Sequence, residues 1–290
     1  MTMSNETAGL AVVTGASSGI GLATAQRLAA DGYHVLAGVR RPEDAARIAA
    51  DRIEPIILDI TDAGDVSALA DRIVGDTSRR PLRVLVNNAG IAVNAPIEVL
   101  TVDDWRRQFE VSVFGQIAVI RALLPALLAS RGRVVNVTSI GGLVAQGNYG
   151  AYSGAKFAME AASDSLRREV AEFGVTVVKV SPGAVSTNMT EQGLAAHNRI
   201  AATMTADQRE RYGTQLRALV AQAEGFARDG VSPEVAAGVI ARAVSARKPR
   251  TRYTVGRDAA IFSRVSRLAS DRVLDAMLRS QTRRLAAPAR

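Results

Sequence analysis

The sequence has no cysteine and only two histidines, His34 and His197, among its 290 residues. Without cysteine, disulfides, thiolate zinc sites and a cysteine nucleophile are excluded. Two histidines that lie far apart in sequence argue against a histidine-rich metal centre and against a Ser-His-Asp triad, so we expect no metal. Aromatic residues make up only 4% of the chain, which argues against a surface that stacks nucleic-acid bases.

Lysine is also scarce, since 33 of the 36 basic residues are arginines. The formal charge of +8 is concentrated at the C-terminal end, where residues 241–290 hold 13 basic and 3 acidic residues. Apolar residues recur between these arginines, which predicts a basic amphipathic helical extension over 257–290. This extension could pack on the body of the protein or on a sister subunit. It could instead make weak contact with an anionic membrane surface, whereas no nucleic-acid partner is expected, because no reading motif is present.

No targeting signal or membrane span is recognisable. Residues 1–9 are polar, and the longest apolar stretch, residues 111–129, is interrupted by Gln116, Arg121 and Pro125. Neither segment has the pattern of a signal peptide or of a transmembrane helix. We therefore expect a cytoplasmic protein.

Short apolar runs alternate with helical patterns from residue 10 to residue 182. The strand-like runs are Leu10–Thr14, Val35–Val39, Pro55–Leu58, Leu82–Val86, Arg133–Thr138 and Val175–Val180. One continuous helix is expected over Trp105–Ala129, and an amphipathic helix over Tyr152–Glu172. This alternation predicts an α/β fold with a doubly wound parallel sheet and right-handed crossovers.

A glycine-rich segment, TGASSGIG at residues 14–21, follows the first predicted strand and opens the first predicted helix. Glycines let the backbone turn sharply against a pyrophosphate, and the amides at a helix N-terminus bind the anion. The segment therefore predicts a dinucleotide site. Its candidate binding residues are Gly15, Ser17, Ser18, Gly19, Ile20 and Gly21.

The end of the second strand indicates which dinucleotide is bound. An acidic residue there binds the ribose 2′-hydroxyl of NAD, but this chain has Val39 followed by Arg40 and Arg41. Guanidinium groups suit the 2′-phosphate of NADP, so we expect NADP, with NAD the less favoured cofactor. The alternative interpretation is a solvated arginine pair on an ordinary loop.

Polar residues also follow the third and fourth strands. Asp59 and Ile60 could contact an adenine ring, and the segment with Asn87, Ala89 and Gly90 could line the cofactor channel. Asn and Asp also favour turns in their own right, so either segment could instead be turn chemistry.

Tyr152 and Lys156 lie four residues apart, which places them on one face of a helix. A phenol is a poor acid at neutral pH, but a nearby ammonium group favours the phenolate and lowers its pKa. Ser139 follows the predicted strand Arg133–Thr138, where ligand-binding residues of open α/β sheets collect. Its hydroxyl could hold a substrate carbonyl.

Together, residues 14–21, residues 87–90, Ser139, the Tyr152/Lys156 pair and Pro182-Gly183 resemble the short-chain dehydrogenase/reductase family. The resemblance runs from about residue 10 to residue 189 with all motifs in order. It implies a single Rossmann-type domain over residues 8–256 with about seven strands and helices on both faces. A dimer or tetramer is also implied.

The resemblance further implies the roles of individual residues. Tyr152 would be the proton donor or acceptor, Lys156 would hold the nicotinamide ribose, and Ser139 would orient the substrate oxygen. The residues that would meet the nicotinamide are Pro182, Gly183, Val185 and Thr187. Ser112 stands where the family usually has an asparagine that holds a relay water, so the speed of the proton relay is open.

In finer detail, residues 152–189 and 249–259 resemble the branch with retinol, 17β-hydroxysteroid and 3-hydroxybutyrate dehydrogenases. The resemblance implies an NADP(H)-dependent oxidoreductase acting on CH–OH groups of a lipophilic steroid-, retinoid- or fatty-acyl-like substrate. A 3-oxoacyl-carrier-protein-type reductase and a non-catalytic NADP-binding sensor or scaffold are the alternatives. Residues 188–230 would form a lid over an apolar ligand, or a pair of surface helices at a subunit contact.

Overall fold

Seven strands form one parallel sheet in the order β3-β2-β1-β4-β5-β6-β7. The strands are β1 (Leu10–Val13), β2 (His34–Val39), β3 (Ile53–Ile57), β4 (Leu82–Asn87), β5 (Arg133–Val137), β6 (Thr176–Pro182) and β7 (Arg252–Val255). The computed structural model describes residues 8–287. The chain adds β2 and β3 on one side of β1, and then adds β4 to β7 on the other side. Ligands of open α/β sheets bind at such a switch point, here between β1 and β4. The predicted doubly wound parallel sheet is confirmed.

Helices cover both faces of this sheet. They are α1 (Gly19–Ala30), α2 (Pro42–Ile48), α3 (Ala63–Val74), α4 (Val102–Phe109), α5 (Gln116–Ser130), α6 (Gly150–Glu169), α7 (Asn188–Ala202), α8 (Ala206–Asp229), α9 (Pro233–Ser245), α10 (Arg257–Leu268) and α11 (Asp271–Ala286). Alternate strand residues point to opposite faces. Val13 and Val86 accordingly pack with α1 and α9, whereas Val12 and Leu85 pack with α3 and α5.

The helix predicted as continuous over Trp105–Ala129 is interrupted by a π-helical segment, residues 110–115, between α4 and α5. Gly115, the last residue of this segment, packs closely against Ile60. A Cβ at position 115 would lie only 2.8 Å from Ile60 Cγ1. The extra residue of a π turn rotates the chain, and Ser112 on this segment is fully buried.

By length and composition, residues 102–130 could cross a membrane. In the fold, however, Leu123 and Leu127 of α5 lie in the core beneath the sheet.

The predicted C-terminal extension consists of two helices, α10 and α11, that contact the rest of the fold. The Asp258 carboxylate of α10 accepts a hydrogen bond from the amide of Ala184 (2.8 Å), and Ala259 is fully buried. Helix α11 packs along α8. The domain boundaries at 8–256 and 257–290 stay a prediction. Residues 1–7, where no targeting signal was expected, and residues 288–290 of the extension lie outside the described residues.

A buried charge network ties α6 to β6 and β7. Glu160 of α6 binds Arg252 (2.6 Å between Oε1 and Nη1) and Lys179 (3.0 Å). Lys179 also binds Asp164 (2.7 Å). Burial raises the pKa of Glu160, but the hydrogen-bonded Arg252 and the charge of Lys179 outweigh it and hold this pKa below its usual range. Glu160 is therefore a carboxylate in the folded protein, one helical turn beyond Lys156.

Replacing Glu160 with alanine would leave the buried Lys179 and the partly buried Arg252 without their shared carboxylate. We expect Glu160→Ala to lower the free energy of unfolding at neutral pH by about 3–5 kcal/mol, measured by urea denaturation. The exposed Glu169 on the same helix is the control, and Glu169→Ala should change the same quantity by about 0.5 kcal/mol or less.

The same network gives a pH dependence. A carboxyl whose pKa is depressed by folding stabilises the folded state above its unfolded pKa, and this contribution is lost as pH falls through the folded pKa. The gap in unfolding free energy between the natural protein and Glu160→Ala should therefore narrow as pH falls below the ordinary glutamate pKa of about 4.3. A gap that stays constant as the pH is lowered well below about 4.3 would contradict the ion pairing.

Candidate active site

The glycine-rich loop between β1 and α1 is closed by backbone contacts that only glycine permits. Gly15 and Gly19 adopt left-handed φ angles of 65° and 56°. A Cβ on Gly21 would lie 2.2 Å from the carbonyl oxygen of Gly15, so no other residue fits there. Among the described residues, Ser18 makes no side-chain hydrogen bond to the first turn of α1. The amides at this helix N-terminus are thus open to an anion.

Asn88 fixes the loop to the end of β4. Its Nδ2 donates to the carbonyl oxygens of Thr14 (3.0 Å) and Gly15 (3.1 Å). In return, Thr14 Oγ1 accepts from the backbone amides of Asn88 and Ala89, both at 3.0 Å. Gly90, the next residue, begins the channel wall that faces Lys156. The loop is therefore held from β4 as well as from its own strand.

The sequence interpretation chose Asn87 as the binding residue and did not single out Asn88. Asn87 is the last residue of β4, is fully buried, and donates across the sheet to Asn136 Oδ1 (3.0 Å). Adjacent strand residues point to opposite faces, so only one of the two asparagines can reach the loop. The sequence indicated that residues 87–90 lie near the glycine loop. It did not indicate which of the two asparagines faces that loop.

The expected arginine pair after β2 divides into two different roles. Arg41 Nε binds Asp44 Oδ2 at 2.9 Å, and Arg47 binds the other oxygen of Asp44 at 2.9 Å. Arg47 also donates to the carbonyl oxygen of Ser17 in the glycine loop (2.5 Å). Arg40 is exposed and forms no salt bridge within the described part of the chain. Within residues 8–287, Arg40 is therefore a cation without an ion-pair partner at this end of the site.

Asp59 and Ile60 lie at the same edge but are already engaged. Asp59 Oδ1 accepts from the amide (2.9 Å) and the hydroxyl (2.7 Å) of Thr61. Burial raises the pKa of Asp59, whereas these hydrogen bonds and the charge of Arg40 bring it below its usual value. Ile60 is buried against Gly115. Asp59 therefore forms a turn and adds a negative charge near Arg40.

Tyr152, Lys156 and Ser139 converge beyond the end of β5. Lys156 is buried, donates from Nζ to the carbonyl oxygen of Val137 (3.1 Å), and lies 5.9 Å from the centre of the Tyr152 ring. Ser139 lies two residues beyond β5, where its hydroxyl accepts from the amide of Gly141 (3.0 Å) and lies close enough to Tyr152 to lower the pKa of the phenol. The ring is held tightly, since a Cβ on Gly141 would lie 2.9 Å from Tyr152 Cε1. The three predicted catalytic residues are thus brought together.

Burial acts on both titratable groups of this cluster. It raises the pKa of the half-buried Tyr152, and the hydrogen bond with Ser139 partly offsets this. It lowers the pKa of Lys156 to about 8, against the charge of Glu160, which raises it. Lys156 therefore keeps most of its charge at neutral pH and loses it readily above pH 8. A lysine poised in this way can favour the phenolate and release its own proton.

Ser112 lies on the π-helical segment, opposite Lys156 across Gly90. A Cβ at Gly90 would be 3.6 Å from Ser112 Oγ and 3.9 Å from Lys156 Nζ. Gln108, fully buried, donates to Ser112 Oγ (2.8 Å) and to the carbonyl oxygen of Ile91 (3.0 Å). Sequence reasoning missed Gln108, although its spacing of four from Ser112 places both on one helix face. The amide holds the serine hydroxyl at the channel wall.

The loop after β6 lies beside the glycine loop. Pro182 ends β6, and the amide of Gly183 donates to the carbonyl oxygen of Val255 in β7 (3.0 Å). Val185 is buried. Thr187 precedes α7, and a Cβ on Gly19 would lie 3.1 Å from Thr187 Cγ2. The predicted nicotinamide-end residues therefore border the predicted phosphate site.

The segment predicted as a lid forms α7 and α8, which are fastened to loops around the site. Tyr149 donates to Gln222 Oε1 (3.0 Å), and Gln222 donates to Gln146 (3.0 Å). Tyr149 also meets the Tyr152 ring edge-on, with the ring centres 6.2 Å apart. Ile200 of α7 packs against an apolar cluster that contains Ala151. Helix α7 thus adds Ile200 to an apolar cluster that includes Ala151, the residue before Tyr152.

The predicted site residues therefore fit a dinucleotide. The glycine loop offers a helix N-terminus, Arg40 lies free at one end, and Thr187 and Tyr152 lie at the other. Asn87 and Ile60 are buried within the sheet and core, and Arg41 is committed to Asp44.

The role of Asn88 can be tested directly. Asn88→Ala removes two hydrogen bonds to loop carbonyls, so we expect NADP affinity to fall at least tenfold. The free energy of unfolding should fall by about 1–3 kcal/mol. Titration calorimetry and urea denaturation measure the two effects. The exposed Asn198 on α7 is the control, and Asn198→Ala should change neither quantity. Unchanged affinity in Asn88→Ala would contradict the assigned role.

Comparisons with known proteins agree with this geometry. Residues 9–198 match the family described as short chain dehydrogenase. The chain is 38% identical to retinol dehydrogenase 5 of Mus musculus, over 92% of this chain and 86% of that protein. It is 32% identical to the NADPH-dependent 3-dehydrocapnine reductase of Ornithobacterium rhinotracheale, over 95% of this chain and 98% of that protein.

A solved structure described as a short-chain dehydrogenase from Streptomyces avermitilis shares the fold. It superposes with a TM-score of 0.76 at 32% identity, covering 96% of this chain and 98% of that one. The family match spans well over half of the chain. The protein therefore belongs to the short-chain dehydrogenase family of NAD(P)-binding oxidoreductases.

Proposed function

We propose that this protein is an NADP(H)-dependent oxidoreductase that interconverts a carbonyl and an alcohol on a lipophilic substrate. The convergence of Ser139, Tyr152 and Lys156 beside the glycine loop carries this proposal. When bound, the nicotinamide would supply or accept the hydride. The residues of this chain then have to bind the substrate oxygen, handle its proton and keep water away from the reacting carbon.

The proton chemistry falls to Tyr152. In the direction of reduction, its hydroxyl donates a proton to the substrate oxygen, while Ser139 donates a hydrogen bond to the same oxygen. The positive charge of Lys156, 5.9 Å from the ring centre, stabilises the phenolate that remains. The proton that returns from solvent would pass Ser112, whose hydroxyl is held by Gln108 beside Gly90, and then Lys156 to reach the Tyr152 phenolate.

The preference for NADP rests on Arg40. Val39 offers no carboxylate to a ribose 2′-hydroxyl, and the exposed Arg40 is free to bind a 2′-phosphate. Arg47, which reaches the carbonyl of Ser17, adds positive charge near the same end. The NADPH dependence named for the Ornithobacterium relative supports this choice.

The lipophilic substrate class is supported by the apolar packing at the start of α6, just before Tyr152. Val93, Leu100 and Ala151 form a buried apolar cluster, and Ile200 of α7 packs against it. The name of the mouse relative, a retinol dehydrogenase, supports an apolar alcohol or aldehyde. A 3-oxoacyl-carrier-protein-type reductase would in addition bind an acidic carrier protein. A non-catalytic NADP sensor would bind cofactor but turn over no carbonyl in a panel of retinal, steroid ketones and acetoacetate.

We further propose that the protein forms a homo-oligomer. Phe114 on the π-helical segment and Phe157 on α6 are both exposed, although phenylalanine is usually buried. Two such rings on adjacent elements indicate a contact surface.

The catalytic assignment is tested by Tyr152→Phe. This variant removes the hydroxyl that transfers the proton to the substrate oxygen, so kcat should fall by about 10²–10⁴-fold with NADP still bound. Turnover of the best substrate from the panel and calorimetric NADP binding measure the two properties. The neighbouring Tyr149→Phe is the control and should keep turnover within about tenfold. Near-full activity in Tyr152→Phe would refute the assignment.

The cofactor preference is tested by comparing two adjacent arginines. Arg40→Ala should weaken NADP binding at least tenfold and leave NAD binding nearly unchanged, because it removes charge-assisted hydrogen bonds of about 1.5–3 kcal/mol each. Arg41→Ala should have the smaller effect on NADP, since its guanidinium is committed to Asp44. Val39→Asp should reverse the preference. Equal affinity of the unaltered protein for NAD and NADP at moderate salt would contradict the account.

A further inference from the structure

One side of helix α11 packs against α8, which belongs to the segment predicted as a lid. Leu274, Leu278 and Leu285 are half-buried and fall within about 40° of one another around the helix. Leu278 and Leu285 line a cavity that is shared with Leu219 of α8 and with Tyr149 beside the catalytic centre. This side of α11 is therefore occupied, and it ties the C-terminal extension to the mouth of the active site.

The remaining surface of α11 combines exposed apolar side chains with arginines. Val273 and Met277 are 51% and 43% exposed and share one edge of the helix with Arg284. Three further exposed arginines occupy the side opposite the buried leucines, namely Arg272, Arg279 and Arg283. The only two acidic residues of the helix, Asp271 and Asp275, fall on the other edge, from which Asp275 reaches Arg279 at 3.9 Å, so the arginines outnumber the carboxylates on this helix.

The end of α10 continues this pattern into the turn before α11. Leu268, the last residue of α10, is 88% exposed, and Ile261, two turns earlier, is 58% exposed. Arg257 and Arg264 are exposed at the matching positions of the same helical stripe. Leu268 lies just before the turn between the two helices, and Val273 lies in the first turn of α11. Both are exposed, and arginines are nearby in sequence on both helices.

We propose that this C-terminal surface, formed by the exposed apolar and arginine residues of α10 and α11 just described, binds anionic lipid bilayers. Arginine pairs with lipid phosphates, and exposed leucine, valine and methionine can enter the headgroup boundary. The charge of the surface selects this occupant. A second copy packed through the same face would oppose six arginines with six arginines. Nucleic acid would use the arginines but would leave Leu268, Ile261 and Met277 in water.

The position of this surface gives it a function if the proposed lipophilic substrate is correct. Because α11 packs on α8, and α8 is hydrogen-bonded to Tyr149, a bound membrane would lie next to the lid. An apolar substrate dissolved in the bilayer would then enter the site without crossing water. Membrane binding itself does not depend on that proposal and is measured without substrate.

The test is co-sedimentation of the full chain with phosphatidylcholine vesicles, with and without phosphatidylglycerol. We expect binding only to the phosphatidylglycerol vesicles, weakened by raised salt. The double variant Arg279→Glu/Arg283→Glu should lower the vesicle-bound fraction at least tenfold in partition coefficient, and so should Leu268→Glu/Met277→Glu. The matched control Arg79→Glu/Arg168→Glu reverses two exposed arginines elsewhere on the protein and should bind like the natural chain.

Three results would overturn the proposal. One is the absence of binding to anionic vesicles, and another is an equal loss of binding in the control variant. The third is a different occupant, seen as salt-sensitive RNA binding that survives Leu268→Glu/Met277→Glu, or as an oligomer that this variant dissociates in sedimentation velocity. NADP affinity is measured for every variant. A failure of the proposed enzymatic function would appear as inactivity with vesicle binding intact, and is thus distinguishable.

Discussion

The parallel pairing of all seven strands is the constraint on which the site depends. Parallel strands all end at one edge of the sheet, so every loop that follows a strand opens on the same side. The glycine loop follows β1, Arg40 follows β2, Asn88 follows β4, Ser139 follows β5 and Gly183 follows β6. Residues that are up to 168 positions apart in sequence thereby meet in one groove. A change of one strand to the antiparallel direction would remove its loop from the groove.

Burial shifts the pKa values of Tyr152 and Lys156. The charge network that includes Glu160 of α6 offsets part of the shift for Lys156. Desolvation disfavours both the Tyr152 phenolate and the Lys156 ammonium. Glu160, one turn along α6, offsets part of this for Lys156 and is itself held as a carboxylate by Arg252 and Lys179. The fold therefore places a charged, hydrogen-bonded network beside a tyrosine whose pKa burial raises and a lysine whose pKa burial lowers to about 8. Chemistry and stability share the same helix.

Much of this arrangement is readable from the sequence, because it depends on local spacing. Alternating apolar runs predicted six of the seven strands but not β7, whose segment has no such run. The position of the glycines between strand and helix indicated the loop, and the four-residue spacing indicated the Tyr152/Lys156 pair. What escaped prediction depends on the direction of single side chains. Asn88 rather than Asn87 reaches the loop, because strand residues alternate between faces. Arg41 is drawn to Asp44, whereas Arg40 stays free, and no pattern in the sequence separates these two arginines.

The π-helical interruption between α4 and α5 was not predicted, for a related reason. The apolar period of residues 105–129 is satisfied by a continuous α-helix, and only the close approach of Gly115 to Ile60 shows that the chain inserts a π turn. That turn buries Ser112 next to Gly90 and brings Gln108 to it. The C-terminal extension is a similar case, since its amphipathic pattern was clear but its partner, α8, was not. Tertiary contacts decided what local patterns left open.

The most direct test of the account is the transfer of isotope from cofactor to substrate. NADPH that carries deuterium at the reactive C4 position would be incubated with the protein and the best carbonyl of the lipophilic panel, and the product analysed by mass spectrometry and NMR. The account predicts one deuterium, bound to the carbinol carbon, while the new hydroxyl proton comes from solvent. A protein that binds NADPH but transfers no deuterium to any carbonyl would contradict it.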